Sequence, residues 1–266
     1  MTFPKDKMMG TSLYKSIIVG PIHSRRLGIS LGINILPQTT KVCTFECIYC
    51  ECGDTPKGIN GTFPTLSQIT KATQATLEKL REENKKIDSI TFSGNGEPTL
   101  HPQILSIIEH TISLRDQYFP SCKISVLSNA TQLHNPDVIC ALKKVNNRIL
   151  KLDAGTNELA KEIDRPQAPS YDINRIAKQL MVFKGDFIMQ TIFLRGTING
   201  KNIDNTRPET INKWIDLVKK TNPKQIMVYT IDRETPIKTL EKVSIEEMKM
   251  ITQPLKEEGY DILVAE

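Results

Sequence analysis

The sequence predicts an α/β protein: a partial (β/α)6 barrel of the TIM type with parallel strands, preceded by an N-terminal extension. Three observations carry this. From about residue 29 onwards, short runs rich in Ile, Val, Leu, Phe or Thr alternate with longer runs of helical period, the pattern of repeated βα units. The short runs are almost continuously apolar, as strands buried on both faces of a parallel sheet are. Six units and a final strand fill the 266 residues. A full eight-unit barrel takes roughly 250 residues and leaves no room for an N-terminal segment and long loops.

The elements follow in order. An extension at 1–28 leads into a strand at 29–36, and a helix over 65–83 starts at Thr65, a capping residue, with apolar Ile69, Ala72, Leu77 and Leu80 along it. Strands at 89–93, 123–127, 148–152, 187–194 and 225–230 are followed by helices at 102–114, 137–144, 173–183, 209–220 and 245–257, and a strand at 261–264 closes the set. The loops at 56–64 and 162–169 read as insertions in one domain rather than boundaries, because no repeat, low-complexity tract or Gly/Ser linker interrupts the chain. The reading is a single domain over 1–266, with the partial barrel at 29–266. Ligands of parallel βα architectures sit at the carboxyl ends of the strands, so the residues just after each strand are where chemistry is sought.

With 39% apolar and 24% charged residues, the chain has the composition of a globular protein with a sizeable core, which excludes a disordered chain. A net charge of +5 accommodates an anionic partner such as RNA or a phosphorylated substrate without requiring one. Residues 1–10 carry two lysines and no apolar stretch of the secretory kind, and no run approaches the length of a membrane span, so the expected location is the cytoplasm. The six cysteines are too few and too unevenly spaced for a disulfide framework: Cys43, Cys47, Cys50 and Cys52 crowd together, while Cys122 and Cys140 stand alone and read as small core residues.

Cys43, Cys47 and Cys50 form a Cys-x3-Cys-x2-Cys loop after the first strand. A compact loop with three thiolates can wrap an iron–sulfur cubane and leave the fourth iron open for a ligand. A zinc site completed by Cys52, or thiols that merely line a core, are the competing readings. The second strand ends in Gly94, Asn95, Gly96, Glu97 and Pro98; its glycines let backbone approach a ligand, and its carbonyls and carboxylate offer acceptors to an ammonium, although such a turn can also do no more than reverse the chain. Ser128 and Asn129 after the third strand and Asp153 after the fourth can hydrogen-bond a carboxylate or ribose hydroxyls, or serve as turn and cap residues. Arg25 and Arg26 suit a phosphate or carboxylate clamp, or a solvated surface. Gln190, Thr191 and Arg195 on the fifth strand, and Tyr229, Asp232 and Arg233 on the sixth, stand near strand ends, where alternation turns only some of them inward. His23 reads as structural.

The cysteine spacing, with Tyr49 just before Cys50 and the loop placed after the first strand, resembles the radical S-adenosylmethionine (radical SAM) superfamily. The turn resembles that family's Gly-Gly-Glu-Pro segment: Gly96, Glu97 and Pro98 match, Gly94 matches loosely, and Asn95 departs from the pattern. The resemblance implies a [4Fe-4S] cluster on Cys43, Cys47 and Cys50. It also implies S-adenosyl-L-methionine as cofactor, with its methionine amino group at the 94–98 turn, its carboxylate and ribose near Ser128, Asn129 and Asp153, and its adenine by Tyr49. It implies one-electron cleavage of that cofactor to a 5′-deoxyadenosyl radical that takes a hydrogen atom from a substrate, fed by a flavodoxin- or ferredoxin-like reductant. The stretches 20–28 and 93–102 add a likeness to small iron–sulfur oxidoreductases distantly like the wyosine-base enzymes of transfer RNA; it spans 20–155 and fades beyond. That likeness implies an RNA or nucleobase substrate, with a peptide, a protein partner or a small metabolite as the alternative. Arg25, Arg26, Gln190 and Arg195 are the candidate substrate residues. A non-catalytic zinc-binding RNA-associated module is the distant alternative. With no second cysteine cluster, an auxiliary iron–sulfur centre is not expected.

Overall fold

A computed structural model describes residues 13–56, 61–233 and 235–265; the first twelve residues of the expected extension and 57–60 of the expected loop lie outside them. The frame is an eight-stranded sheet built from β1 (Ile18–Ser24), β2 (Gly28–Ile33), β3 (Ser89–Phe92), β4 (Lys123–Ser128), β5 (Asn147–Lys151), β6 (Ile188–Ile192), β9 (Gln225–Tyr229) and β11 (Ile262–Val264), hydrogen-bonded in that order. All neighbours are parallel except β1, which pairs antiparallel with β2. The parallel strands are the seven that the sequence predicts. Their crossovers carry α1 (Leu66–Glu82), α2 (Ile104–Tyr118), α3 (Pro136–Lys144), α4 (Asn157–Ile163), α5 (Ile173–Leu180), α6 (Pro208–Thr221) and α7 (Ile245–Glu257).

Local sequence explains the starts and faces of these elements. Thr65 and Gln68 form a capping box on α1: the Gln68 amide donates to Thr65 Oγ1 at 3.2 Å and the Thr65 amide to Gln68 Oε1 at 2.8 Å. Helix α5 buries Ile173, Ile176, Ala177 and Leu180 on one face. All four residues of β3 are buried, because helices cover one side of the sheet and the barrel lumen lies on the other.

Three features differ from the sequence reading. The extension contributes β1, which covers the edge of β2. The predicted strand over 187–194 ends at Ile192, and β7 (Leu194–Ile198) turns away to form an antiparallel three-stranded sheet with β8 (Lys201–Asp204) and β10 (Leu240–Lys242). The stretch between the predicted strand at 148–152 and the predicted helix at 173–183, to which the sequence reading gives no helix, contains α4. These elements are short or lie outside the apolar periodicity that marks the barrel strands.

The sheet is strongly curled. Five strand spacings separate β2 from β9, about 24 Å in a flat sheet. Yet the turn between β1 and β2 reaches across: Leu27 packs on Ile149, Ile188 and Met227, Arg25 lies 3.6 Å from Asp232, and the Arg26 guanidinium sits 4.6 Å from the Tyr229 ring centroid. This turn therefore fills part of the lumen of an incomplete barrel. Elsewhere, side chains of β2 to β5 are joined by a buried polar row, in which Ser30, Thr91, Ser89 and Ser125 hydroxyls link at 2.7–3.0 Å and Asn147 donates to Ser125 at 3.1 Å.

The end of β5 is set by Gly155. A Cβ there would stand 2.4 Å from the Trp214 amide nitrogen and 2.6 Å from the Lys213 carbonyl carbon, so α6 docks directly on backbone. Trp214 is locked in turn by its indole N–H, which donates to Thr191 Oγ1 at 3.0 Å, and by an edge-on contact with Phe193. Gly155→Ala is expected to push α6 outward and destabilise the fold by about 1–3 kcal/mol, read as a lowered thermal midpoint.

Candidate active site

The cysteine loop leaves β2 and is held on both sides by backbone. On one side the Val42 amide donates to Asn95 O at 2.8 Å and the Glu97 amide to Val42 O at 2.9 Å. Gly96 permits this approach: its φ is +128°, and a Cβ would lie 1.9 Å from Val42 O. On the other side the Glu46 amide donates to Asp164 O at 3.0 Å, the Ile48 amide to Ile163 O at 2.9 Å and the Gln167 amide to Thr44 O at 2.9 Å. The segment read as an insertion at 162–169 is thus the support of the cysteine loop, and buried Phe45 and Ile48 anchor it to the core.

Cys43, Cys47 and Cys50 are half-buried and line one cavity of about 250 Å³ beyond the carboxyl ends of β3, β4 and β5. Each sulfur has its own environment. Cys43 accepts from the Phe45 amide at 3.4 Å and Asn129 Nδ2 at 3.7 Å; burial, reinforced by the Glu97 charge, pushes its thiol up to about 11. Cys47 accepts from Lys151 Nζ at 2.9 Å; burial pushes its thiol well above the ordinary value while Lys151 pulls the other way. The Cys50 thiol is held below its ordinary value by a hydrogen bond from Cys52, with Lys41 nearby. A thiol must lose its proton to ligate a metal, and Lys151 beside Cys47 and Lys41 beside Cys50 favour that loss.

A second cluster of charge stands behind Cys47. Lys151 Nζ lies 2.7 Å from Asp164 Oδ1 and 3.1 Å from Asp153 Oδ2, both carboxylates being buried. Burial alone would lower the Lys151 ammonium, but Asp153 and Asp164 outweigh it and hold the pKa well above the ordinary lysine value. Tyr49 donates its hydroxyl to Asp153, and its ring lies 4.7 Å from Lys151 Nζ.

The family model of the radical SAM superfamily matches residues 38–189, more than half of the chain. The chain belongs to the radical SAM superfamily. It is 31% identical over 240 residues to a UPF0026 protein of Methanocaldococcus jannaschii, covering 87% of this chain and 68% of that protein. It is 30% identical over 238 residues to a protein of Brachyspira hyodysenteriae named GTPase Obg, covering 87% of this chain but only 32% of that one. This chain contains no Gly-x4-Gly-Lys-Ser/Thr phosphate loop of its own. Among solved structures, Streptococcus suis SuiB bound to S-adenosylmethionine superposes with a TM-score of 0.61 at 15% identity, over 88% of this chain and 50% of SuiB. TYW1 with a lysine-pyruvate adduct bound superposes with a TM-score of 0.60 at 17% identity, over 86% of this chain and 73% of TYW1.

Radical SAM enzymes use a [4Fe-4S] cluster and S-adenosylmethionine, and the donor set here suits that cluster. A cubane takes each thiolate on a different iron, which calls for sulfurs spread around a cavity.

The radical SAM residues read from sequence divide in two. Tyr49, Gly94, Gly96, Glu97, Ser128, Asn129, Arg26 and Gln190 line the cavity with the cysteines. Asn95 does not: it is fully buried, takes the Tyr14 amide on Oδ1 at 2.7 Å and donates to Tyr14 O and Pro37 O at 2.9 Å. Its departure from the family pattern thus pins the N-terminal segment to the turn. Pro98 is buried at the start of a single 3-10 turn, and Asp153 is occupied by Tyr49, Lys151 and the Ile192 amide. Arg25 pairs with Asp232, and Arg195 pairs with Glu247 and donates to Thr206, both away from the cavity lining. Lys41, Lys151 and Asp164 were not singled out by sequence reasoning; for Lys151 the signal is a charge at the carboxyl end of a parallel strand, two residues before Asp153.

Glu97 is a bracket more than an open acceptor. Its Oε1 accepts from the Thr99 amide at 3.1 Å, Thr99 Oγ1 at 2.5 Å and Ser128 Oγ at 2.8 Å, and its Oε2 from the Asn129 amide at 2.7 Å. Burial raises its pKa, and these four bonds offset part of the rise. Glu97→Ala leaves two buried amides without an acceptor, at about 1–3 kcal/mol each, and frees Asn129 from its place beside Cys43. The expected result is a lower thermal midpoint together with weaker iron retention, measured on the same preparation.

Proposed function

We propose that this protein binds a [4Fe-4S] cluster through Cys43, Cys47 and Cys50 and cleaves S-adenosylmethionine reductively to generate a hydrogen-abstracting radical. The observation that carries this reading is the meeting of the three thiols of the Cys-x3-Cys-x2-Cys loop with the Gly94–Gly96 turn in one cavity. When bound, the cluster and its cofactor supply the electron transfer and the radical. The chain supplies the setting. Asn129 and the Phe45 amide orient Cys43, Lys41 and Lys151 offset thiolate charge, and Glu97 locks the ends of β3 and β4 together. The polypeptide works as one unit over 1–266, in the cytoplasm, where thiols stay reduced, and takes its electron from a flavodoxin- or ferredoxin-like donor. No helix among the described residues is long and apolar enough to cross a membrane.

The substrate side of the cavity favours an anion. Arg26 lines it, stacked on Tyr229, and among the described residues no carboxylate pairs with its guanidinium, whereas neighbouring Arg25 is committed to Asp232. With the net charge of +5, this supports an RNA or nucleobase substrate. Steep salt dependence of RNA binding is its expected signature. Deuterium transfer to 5′-deoxyadenosine from a labelled peptide or metabolite, with no RNA binding, would assign the substrate to the alternative class.

The experiment that tests the cluster is anaerobic reconstitution with iron and sulfide analysis and assay of 5′-deoxyadenosine under reductant. Cys43→Ala, Cys47→Ala and Cys50→Ala are each expected to lose the cluster and product, while Cys52→Ala keeps both. A colourless zinc protein whose metal depends on Cys52 would sink the proposal.

A further inference from the structure

Two lysines are set against the cysteine sulfurs: Lys41 beside Cys50, and Lys151, whose Nζ stands 2.9 Å from Cys47 Sγ. The same nitrogen is held 2.7 Å from Asp164 and 3.1 Å from Asp153. These three partners come from the cysteine loop, the C-terminal end of α4 and the segment after β5, so the ammonium joins three parts of the chain at one point. The rings of Phe45 and Tyr49 lie 5.3 and 4.7 Å from it, and the side chain is only 15% exposed. Water has little access to screen the charge.

A buried lysine used for imine chemistry needs a neutral amine. Lys151 is the opposite case, an ammonium already committed to two carboxylates. What remains for it is electrostatic. A hydrogen bond and a fixed positive charge at a cluster sulfur stabilise the reduced cluster, which carries one more electron, relative to the oxidised one. We propose that Lys151, aimed by Asp164 and Asp153, is a positioning residue that donates to the Cys47 sulfur and raises the reduction potential of the cluster, easing entry of the single electron from the donor protein. The inference rests on the proposed cluster at Cys43, Cys47 and Cys50. No bond forms or breaks at Lys151; the electron moves from the one-electron donor to the cluster.

The test is a potentiometric titration of the reconstituted full chain, followed by electron paramagnetic resonance of the reduced cluster, in the absence of S-adenosylmethionine. Lys151→Met is expected to lower the ratio of reduced to oxidised cluster at fixed potential about tenfold, equivalent to about 59 mV for a one-electron couple. Lys151→Gln reports in the same direction and serves where the methionine variant fails to fold, and Lys151→Arg is expected to restore most of the wild-type ratio. Unchanged midpoints in the neutral variants that retain the cluster would overturn the inference, leaving Lys151 a structural strut that affects iron content alone. A wild-type protein that assembles no cluster would instead overturn the proposed function, so the two failures are distinct.

Discussion

Three thiols face one small cavity, and the negative charge they carry when deprotonated must be offset where water is scarce. Lys41 and Lys151 supply the opposing charge from two sides, Lys41 near Cys50 and Lys151 on Cys47. Neither lysine can be buried without partners of its own. Lys41 donates to Gly53 O at 2.7 Å, and Lys151 leans on Asp153 and Asp164. Those partners fix the course of the loop at Gly53, the end of β5 and the end of α4. The charge balance at the sulfurs therefore propagates into the backbone around them.

The curl of the sheet makes that arrangement available. A flat sheet would hold β2, which feeds the cysteine loop, far from β5 and β9. Curling brings Cys47 within a hydrogen bond of Lys151 at the end of β5, and lets the turn between β1 and β2 place Arg26 under Tyr229. The turn also plugs the lumen with Leu27 against Ile149, Ile188 and Met227. An incomplete barrel needs such a plug, because its open side would otherwise leave those apolar residues in water.

The seven parallel strands were legible because strands buried on both faces are nearly uniform in apolar character, and the helices between them because their apolar residues recur at helical spacing. Short elements were not. β10 and α4 carry too few residues for a period, β1 (Ile-Val-Gly-Pro-Ile-His-Ser) breaks its apolar run with Gly20 and Pro21, and the hairpin of β7 and β8 continues an apolar run without a break in the sequence. In the site, spacing singled out Cys43, Cys47 and Cys50, and the position after β3 singled out the Gly94–Gly96 turn; the three cysteines and both glycines line one cavity. Spacing could not separate Arg26 from Arg25: adjacent residues in a turn differ in direction, and only the fold sends one to Tyr229 and the other to Asp232.

By itself the sequence determined the class of architecture, the order of its βα units and the trio of thiols, since each of these is written in local patterns of apolarity and spacing. The tertiary structure alone decided which polar groups remain open to a ligand. Asn95, Asp153 and Glu97 have the right chemistry to bind a cofactor, yet Asn95 and Asp153 are spent on Tyr14, Pro37, Tyr49 and Lys151, and Glu97 on Thr99, Ser128 and Asn129. Lys151 and Asp164, which no motif marks, stand at the sulfur instead. The reason is that a buried polar group must be satisfied by whichever partner the fold brings within reach, and several of those partners are distant along the chain: Asp164 lies 13 residues from Lys151 and 117 from Cys47.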